Sequence, residues 1–397
     1  MLSESGLLFV MAGVVLMFGS KFRLSWCLWL LCSGFVAQAS VILPAIPASA
    51  YPGSWQQQQT LAQWQQQQRQ FYLDALLAPT PTALATPQLL QQESRGRYQA
   101  ELWQVPLTSI SHTKALLLRP LLQPVKAAVL LLHDHGAYFV IGKEKMIRPF
   151  ADSKLHTQAK DWVDKYYAGQ FIGDELAAQG YLVLAADTSG FGERGPIQYE
   201  QQQQLAANLL ATGHSLSGLS AYEDMQLAQF LAQQPDVPKG KIAAIGFSMG
   251  AYRAWQVAAL SEHIQAAAAI CWFNTYQQLM QPGANLTKGQ SSFYMLHPGL
   301  ARRLDIPDQV SLMAPKALYL INGGQDPLMP VQGVIQGHQQ LKKVWHAFAA
   351  DSALRTEIWT EARHEFNQQQ QQHVWSWLEQ WHQSKPAEKN NHDGKRK

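Results

Sequence analysis

Charge is scarce in this sequence. Asp, Glu, Lys and Arg make up 15% of its 397 residues, and 31 basic against 28 acidic side chains leave a net charge of only +3. A nucleic-acid binder needs a concentrated basic surface, so that class is excluded. The excess is also local: Lys385, Lys389, Lys395, Arg396 and Lys397 against Glu388 and Asp393 account for all of it. Cysteine is nearly absent, with Cys27, Cys32 and Cys271 alone. No apolar run reaches the roughly 18–20 residues of a spanning helix. No internal repeat at a solenoid or propeller period is visible. What the chain does have is apolar residues, 47% of the total, enough to bury a large core.

Two short apolar runs stand at the start, Gly6–Phe18 and Leu24–Val36, separated by Lys21 and Arg23. Positive charge before a core of signal length, followed by A-x-A sites at Ala37–Ala39 and Ala48–Ala50, reads as a secretory signal spanning 1–50 and cleaved near 39 or 50. Met17 would be an alternative start. The competing expectation is an uncleaved N-terminal membrane anchor. Cleavage removes two cysteines, and the mature chain then holds no intramolecular disulfide and no thiolate metal site. Cys271, in an apolar strand-like run, reads as a buried structural thiol. Without the signal and the basic tail, 384–397, the body 51–383 carries 24 basic and 25 acidic residues. A near-neutral exported body points to an uncharged substrate.

Residues 51–97 read as a helical extension. Its helix at 54–77 is amphipathic, with short glutamine runs forming an uncharged polar face, and it ends at Pro79, Pro81 and Pro87. From Tyr98 to about Gln383 strands alternate with helices. Tyr98–Val105 and Lys114–Arg119 form a hairpin-like lead-in. Apolar strands follow at Ala127–His133, Tyr181–Asp187, Ile242–Gly246, Ala266–Phe273, Ala317–Asn322 and Thr356–Thr360. Helices are expected near Phe171–Gln179, Ala221–Gln233 and Gly250–Leu260, after Pro330, and at Gln370–Gln383. That alternation means an α/β fold, a mainly parallel doubly wound sheet with helices on both faces.

The segment that points to chemistry is Gly246-Phe247-Ser248-Met249-Gly250, between an apolar strand and a helix. A G-x-S-x-G string alone is weak. In this context it describes a serine on a sharp strand-to-helix turn, where flanking glycines avoid backbone collisions. A serine hydroxyl is a poor nucleophile unless a base takes its proton and an acid orients that base. Asp326 and His364 follow in that order, each on a loop leaving the end of an apolar strand. The predicted catalytic set is therefore Ser248, Asp326 and His364.

An oxyanion site would combine the Met249 amide with one from the loop Leu132-His133-Asp134-His135-Gly136-Ala137-Tyr138. There Gly136 lets the backbone approach the substrate, Ala137 is the preferred second donor and Tyr138 the alternative. His133-Asp134-His135 does not extend into a binuclear metal pattern, because Ala137 interrupts it, so no metal is expected. Gly190-Phe-Gly-Glu-Arg-Gly195 spells G-x-G-x-x-G but does not open a helix directly. It reads as a loop braced by Glu193 and Arg194, and no nucleotide cofactor is expected.

These residues resemble the α/β-hydrolase superfamily, in its dienelactone hydrolase-like and acetyl xylan esterase-like branch, over roughly 54–383. The likeness rests on His133-Asp-His-Gly-Ala-Tyr, Asp187-Thr-Ser-Gly-Phe-Gly-Glu-Arg, Gly246-Phe-Ser-Met-Gly, Asn322-Gly-Gly-Gln-Asp-Pro and His364-Glu-Phe. It implies Ser248 as nucleophile, Asp326 as acid and His364 as base. Dienelactone hydrolases proper carry cysteine where this chain has Ser248, so the resemblance implies a serine esterase without a cofactor. Its substrate would be a small-molecule or carbohydrate ester. Arg363 replaces the usual small residue before the histidine, which would narrow the site or bind an acidic group. Trp162, Tyr166, Tyr167, Tyr276, Phe293 and Tyr294, on the excursions 138–169 and 274–315, are candidates for substrate contact or for packing. Two other functions stay open at this level, a prolyl-oligopeptidase-type peptidase and an inactive binding protein.

Overall fold

The computed structural model describes residues 51–384 apart from 57–58, 110 and 282–289. The expected signal and the basic tail beyond Ser384 lie outside the described residues. A nine-stranded sheet organises the rest, in the order β1-β2-β3-β5-β4-β6-β7-β8-β9. Its strands are β1 (Gln88–Ser94), β2 (Tyr98–Pro106), β3 (His112–Pro120), β4 (Ala128–Leu132), β5 (Leu182–Ala186), β6 (Ile242–Phe247), β7 (Ala266–Ile270), β8 (Ala317–Gly323) and β9 (Leu354–Trp359). β1, β2 and β3 pair antiparallel and join β5 antiparallel; the remaining six strands run parallel.

Composition explains that division. β4, β5 and β7 read Ala-Val-Leu-Leu-Leu, Leu-Val-Leu-Ala-Ala and Ala-Ala-Ala-Ala-Ile, and every residue in them is buried. Unbroken apolar runs suit strands covered on both faces. Alternate residues serve opposite layers: Leu130 of β4 joins one core cluster, while Val129 and Leu131 join the other.

The helices are α1 (Leu61–Ala75), α2 (His156–Tyr166), α3 (Ile172–Ala178), α4 (Tyr199–Ala211), α5 (Leu216–Ala232), α6 (Met249–Leu260), α7 (Tyr276–Leu279), α8 (Ile306–Ser311), α9 (Val331–Ala347) and α10 (Gln368–Gln383). α6 lies against β6 and β7 and is buried along its whole length. α1 buries Trp64, Gln68 and Tyr72 at four-residue spacing, and the Trp64 indole donates to Gly53 O at 2.7 Å. None of the helices among the described residues is long and apolar enough to cross a membrane.

The structure corrects the expectation at several places. Residues 51–97 are not only helical, because β1 extends the sheet there; an exposed, Gln-rich edge strand has no apolar signature. α2, α7 and α8 were not expected, since they lie in excursions without clear periodicity. Of the aromatics read as candidates for substrate contact or for packing, Tyr167, Tyr276 and Tyr294 pack in the core, at most 2% exposed. β7 ends at Ile270, so Cys271 sits just past the strand, fully buried with φ 60°.

β4 has β5 on one side and β6 on the other, so the winding reverses beside it. In open parallel sheets the crevice at such a reversal, at the carboxyl ends of the strands, is where ligands bind. The loops after β4, β6, β8 and β9 all leave from that end.

Candidate active site

β6 runs into α6 through Ser248, whose backbone is held at φ 56°, ψ −125°. A side-chain-bearing residue at positive φ is strained, and the surroundings enforce it. A Cβ on Gly246 would lie 2.2 Å from Gly250 C and O, and one on Gly250 would lie 1.8 Å from Leu132 O. Only glycine at both positions lets the turn close against the end of β4. The Ser248 amide donates to Ile270 O at 2.8 Å, tying the turn to β7.

Asp326 and His364 meet this serine from two neighbouring loops. The Ser248 hydroxyl lies 2.9 Å from His364 Nε2, and His364 Nδ1 lies 2.8 Å from Asp326 Oδ2. Asp326 is 6% exposed, and its Oδ1 accepts the Leu328 amide at 2.8 Å. One carboxylate oxygen is thus fixed by backbone while the other faces the imidazole. The His364 ring also packs on Phe247, with centroids 5.0 Å apart. The structure brings the three residues singled out in the sequence together in one continuous hydrogen-bonded line.

The close approach of the two loops depends on Gly323 and Gly324, whose role the sequence reading missed. A Cβ on Gly323 would lie 2.3 Å from Arg363 O, and one on Gly324 would lie 2.7 Å from Thr360 O. The signal was there, two glycines ahead of the acid. Arg363 itself is exposed. Cys271 lies beneath these loops, its thiol directed at Glu365 O (3.4 Å) and Arg363 O (3.7 Å), and burial pushes it up to about 12. Its sulfur, Asp326 and His364 bring three ligand-type atoms within 4.8 Å. The imidazole nitrogens of that group are already directed at Asp326 and Ser248.

Two amides were expected to face a developing oxyanion. Met249 is the first residue of α6, so its N–H has no acceptor within the helix. Ala137 differs from expectation. Its amide donates to His135 Nδ1 at 3.1 Å, because Gly136 and Ala137 both take positive φ (54° and 55°) and fold the chain back over the ring. The Tyr138 amide in turn lies 3.4 Å from His135 O. His135 is 4% exposed, and its Nε2 lies 2.7 Å from Gln202 Oε1 on α4. Burial lowers its pKa to about 4. With Nδ1 accepting from Ala137, the neutral ring carries its proton on Nε2 and donates it to Gln202. Gln202 belongs to a glutamine run that reads as mere low complexity in sequence.

Beside this loop Tyr138, half-buried, stacks on Trp162 with 5.4 Å between centroids and 7° between planes. Trp162 lies 4.5 Å from Tyr166. The G-x-G-x-x-G stretch is a brace, with partners other than those its sequence suggested. Arg194 holds Glu223 with both terminal guanidinium nitrogens, and Glu193 meets Lys114 (2.9 Å) and Lys143 (3.2 Å). Lys143, also bonded to Asp187 at 2.9 Å, is 2% exposed and held protonated by these carboxylates.

The comparisons with known proteins agree with this architecture. The sequence model of the abhydrolase family matches residues 33–346, so His364 lies beyond the matched stretch. A Bacillus subtilis (strain 168) protein named as a hydrolase, YtaP, is 29% identical over 228 residues, covering 57% of this chain and 70% of that protein. Among solved structures, a Bacteroides fragilis protein described as an acetyl xylan esterase has a TM-score of 0.64 at 19% identity, covering 82% of this chain and 83% of its own. A glucuronoyl esterase from Solibacter usitatus has a TM-score of 0.60 at 14% identity, covering 85% and 99%. At such identities these two speak for the fold, which is that of the α/β-hydrolases. On the family match, this chain belongs to the abhydrolase family.

Proposed function

We propose that the protein is a serine esterase that cleaves a carboxylic ester through an acyl-enzyme on Ser248. The observation that carries this reading is the line Asp326–His364–Ser248, with contacts of 2.8 and 2.9 Å. His364 Nε2 takes the hydroxyl proton as Oγ attacks the ester carbonyl, and Asp326 holds the ring and stabilises its cation. The Met249 amide faces the oxyanion, and the loop 133–138 supplies the second donor. The alcohol leaves with the proton from His364. Water then attacks the acyl carbon and loses its proton to the same nitrogen, which passes it to Ser248 Oγ as the acyl–Oγ bond breaks and the acid leaves. None of these steps needs a metal or an organic cofactor.

The substrate proposed is an acyl ester of a carbohydrate or a similar ring-bearing alcohol. Support comes from the names of the fold neighbours, from the near-neutral body, and from the Tyr138 ring beside the loop. Export is part of the proposal and rests on the sequence of residues 1–50 alone. The test is hydrolysis of acetylated sugars, feruloyl esters, p-nitrophenyl acetate and peptides by wild type and Ser248→Ala. Ester hydrolysis that falls at least ~10³-fold in the variant supports the reading. Activity confined to peptides, or kept by Ser248→Ala, contradicts it.

A further inference from the structure

Lys145 closes a short 3₁₀ turn, Lys143–Lys145, and its side chain has no solvent exposure. Its ammonium makes three contacts, all with the loop after β4: Asp134 O and His135 O at 2.9 Å, and Asp134 Oδ2 at 3.4 Å. Trp162 and Phe191 cover it, with ring centroids 4.6 and 5.0 Å from Nζ. An ammonium has three protons, and here each has a partner on one six-residue stretch.

Together with His133 Nδ1, 2.9 Å from Asp134 O, and the Tyr138 amide, 3.4 Å from His135 O, this arrangement fixes the direction of two peptide planes. In a trans peptide C=O and N–H point opposite ways. With the carbonyls of Asp134 and His135 both turned toward Nζ, the N–H groups of His135 and Gly136 point away from it. The next two residues of the loop, Gly136 and Ala137, are exposed. Asp134 completes the clamp from beneath, accepting from Tyr167 OH (2.8 Å) and Trp162 Nε1 (3.2 Å). Gly136 is pressed onto this surface, since a Cβ there would lie 2.3 Å from the Trp162 ring and 2.8 Å from Asp134 Oδ2.

Stability is a weak reason for such a lysine. Burying an ammonium costs several kcal/mol, and an apolar residue of similar shape is often as stable or more so. Loop geometry is the stronger reason, because displacement of a reacting group by ~1 Å costs on the order of 10²-fold in rate. We propose that Lys145 is a positioning residue that sets the orientation of the oxyanion loop. The inference rests on the esterase reading of that loop. Lys145 touches no substrate; it acts through the peptide groups of residues 134–136.

The test compares wild type, Lys145→Met and Lys145→Gln, each expressed from the full-length sequence. Measurements are kcat and KM on p-nitrophenyl acetate, affinity for an alkyl boronic acid as a tetrahedral mimic, and the rate of Ser248 labelling by a fluorophosphonate. Lys145→Met, of similar length and without charge, should lose about 10²-fold in kcat with KM within about threefold. Boronic acid affinity and labelling rate should fall in step with kcat. Lys145→Gln, which keeps donors for the carbonyls, should recover part of the loss. A folded Lys145→Met with wild-type kcat and labelling rate overturns the proposal, as does an equal loss expressed only in KM. If Lys145→Met does not fold, Lys145→Gln decides: wild-type boronate affinity and labelling rate in a variant without the charge and with only two donors overturn it. A wild type that neither labels nor hydrolyses esters refutes the esterase reading instead.

Discussion

Replacing Gly250 by alanine sets two physical effects against each other, and the structure decides the sign. Inside a helix alanine is better than glycine by roughly 0.5–1 kcal/mol, through the lower entropy of the unfolded chain. At Gly250, however, the added Cβ would lie 1.8 Å from Leu132 O, 2.7 Å from Leu132 C and 3.1 Å from His133 C. All three are backbone atoms, so no side-chain rotation relieves the clash. To reach even 3.0 Å the first turn of α6 must retreat from the end of β4 by more than about 1 Å. Overpacking of this kind costs about 1–3 kcal/mol, which exceeds the gain in helix propensity. The larger effect should be on rate. The retreat separates Ser248 and the Met249 amide from the loop that supplies the second donor, and ~1 Å of misplacement costs on the order of 10²-fold. The expected outcome is a modest fall in Tm with a loss of about 10²-fold in kcat/KM on p-nitrophenyl acetate. A Gly250→Ala protein that is more stable than wild type and equally active would refute the reasoning, because it would mean that the turn has room which these distances deny.

Further perturbations probe separate parts of the account. Asp326→Asn should leave the fold intact and lower kcat by about 10³–10⁴-fold, since an amide cannot hold the His364 tautomer or its cation; a loss under tenfold would show that Asp326 does not orient the ring. Tyr138→Ala should raise KM for acetylated sugars and feruloyl esters about three- to tenfold through lost stacking while ethyl acetate hydrolysis stays unchanged; equal effects on both would place Tyr138 outside the substrate path. Asp308 is 2% exposed and burial lifts its carboxyl to about 7. The folded protein therefore keeps this proton between pH ~4 and ~7 while the unfolded chain releases it. That contribution is fully present below pH ~4 and is lost as pH rises through ~7. In urea titrations wild type should lose stability relative to Asp308→Asn over that window; a pH-independent difference would contradict the assignment.

Much of the site was legible because each of its residues follows an apolar strand. Ser248 stands between glycines after β6, and Asp326 and His364 open the loops after β8 and β9, so strand placement alone aligned them. The supporting residues were not legible. Lys145 lies in an excursion without periodicity, and nothing in its neighbourhood says that its charge is buried. Gln202 looks like one of four interchangeable glutamines until α4 turns that one toward His135. The Ala137 amide was expected to be free for substrate, but two successive residues at positive φ turn it onto the His135 ring. Such a backbone reversal is invisible in composition, although Gly136 marks where it starts. In the fold, the interior strands announced themselves as unbroken apolar runs. β1, exposed and rich in glutamine, gave no such signal and is identified by its pairing with β2.

Acylation of Ser248 is open to covalent capture. Wild-type protein treated with a fluorophosphonate should gain the mass of one phosphonyl group, mapped by peptide mass spectrometry to the segment containing Ser248. Ser248→Ala should gain none, and His364→Ala should react far more slowly. Labelling at another residue, or equal labelling in Ser248→Ala, would contradict the account.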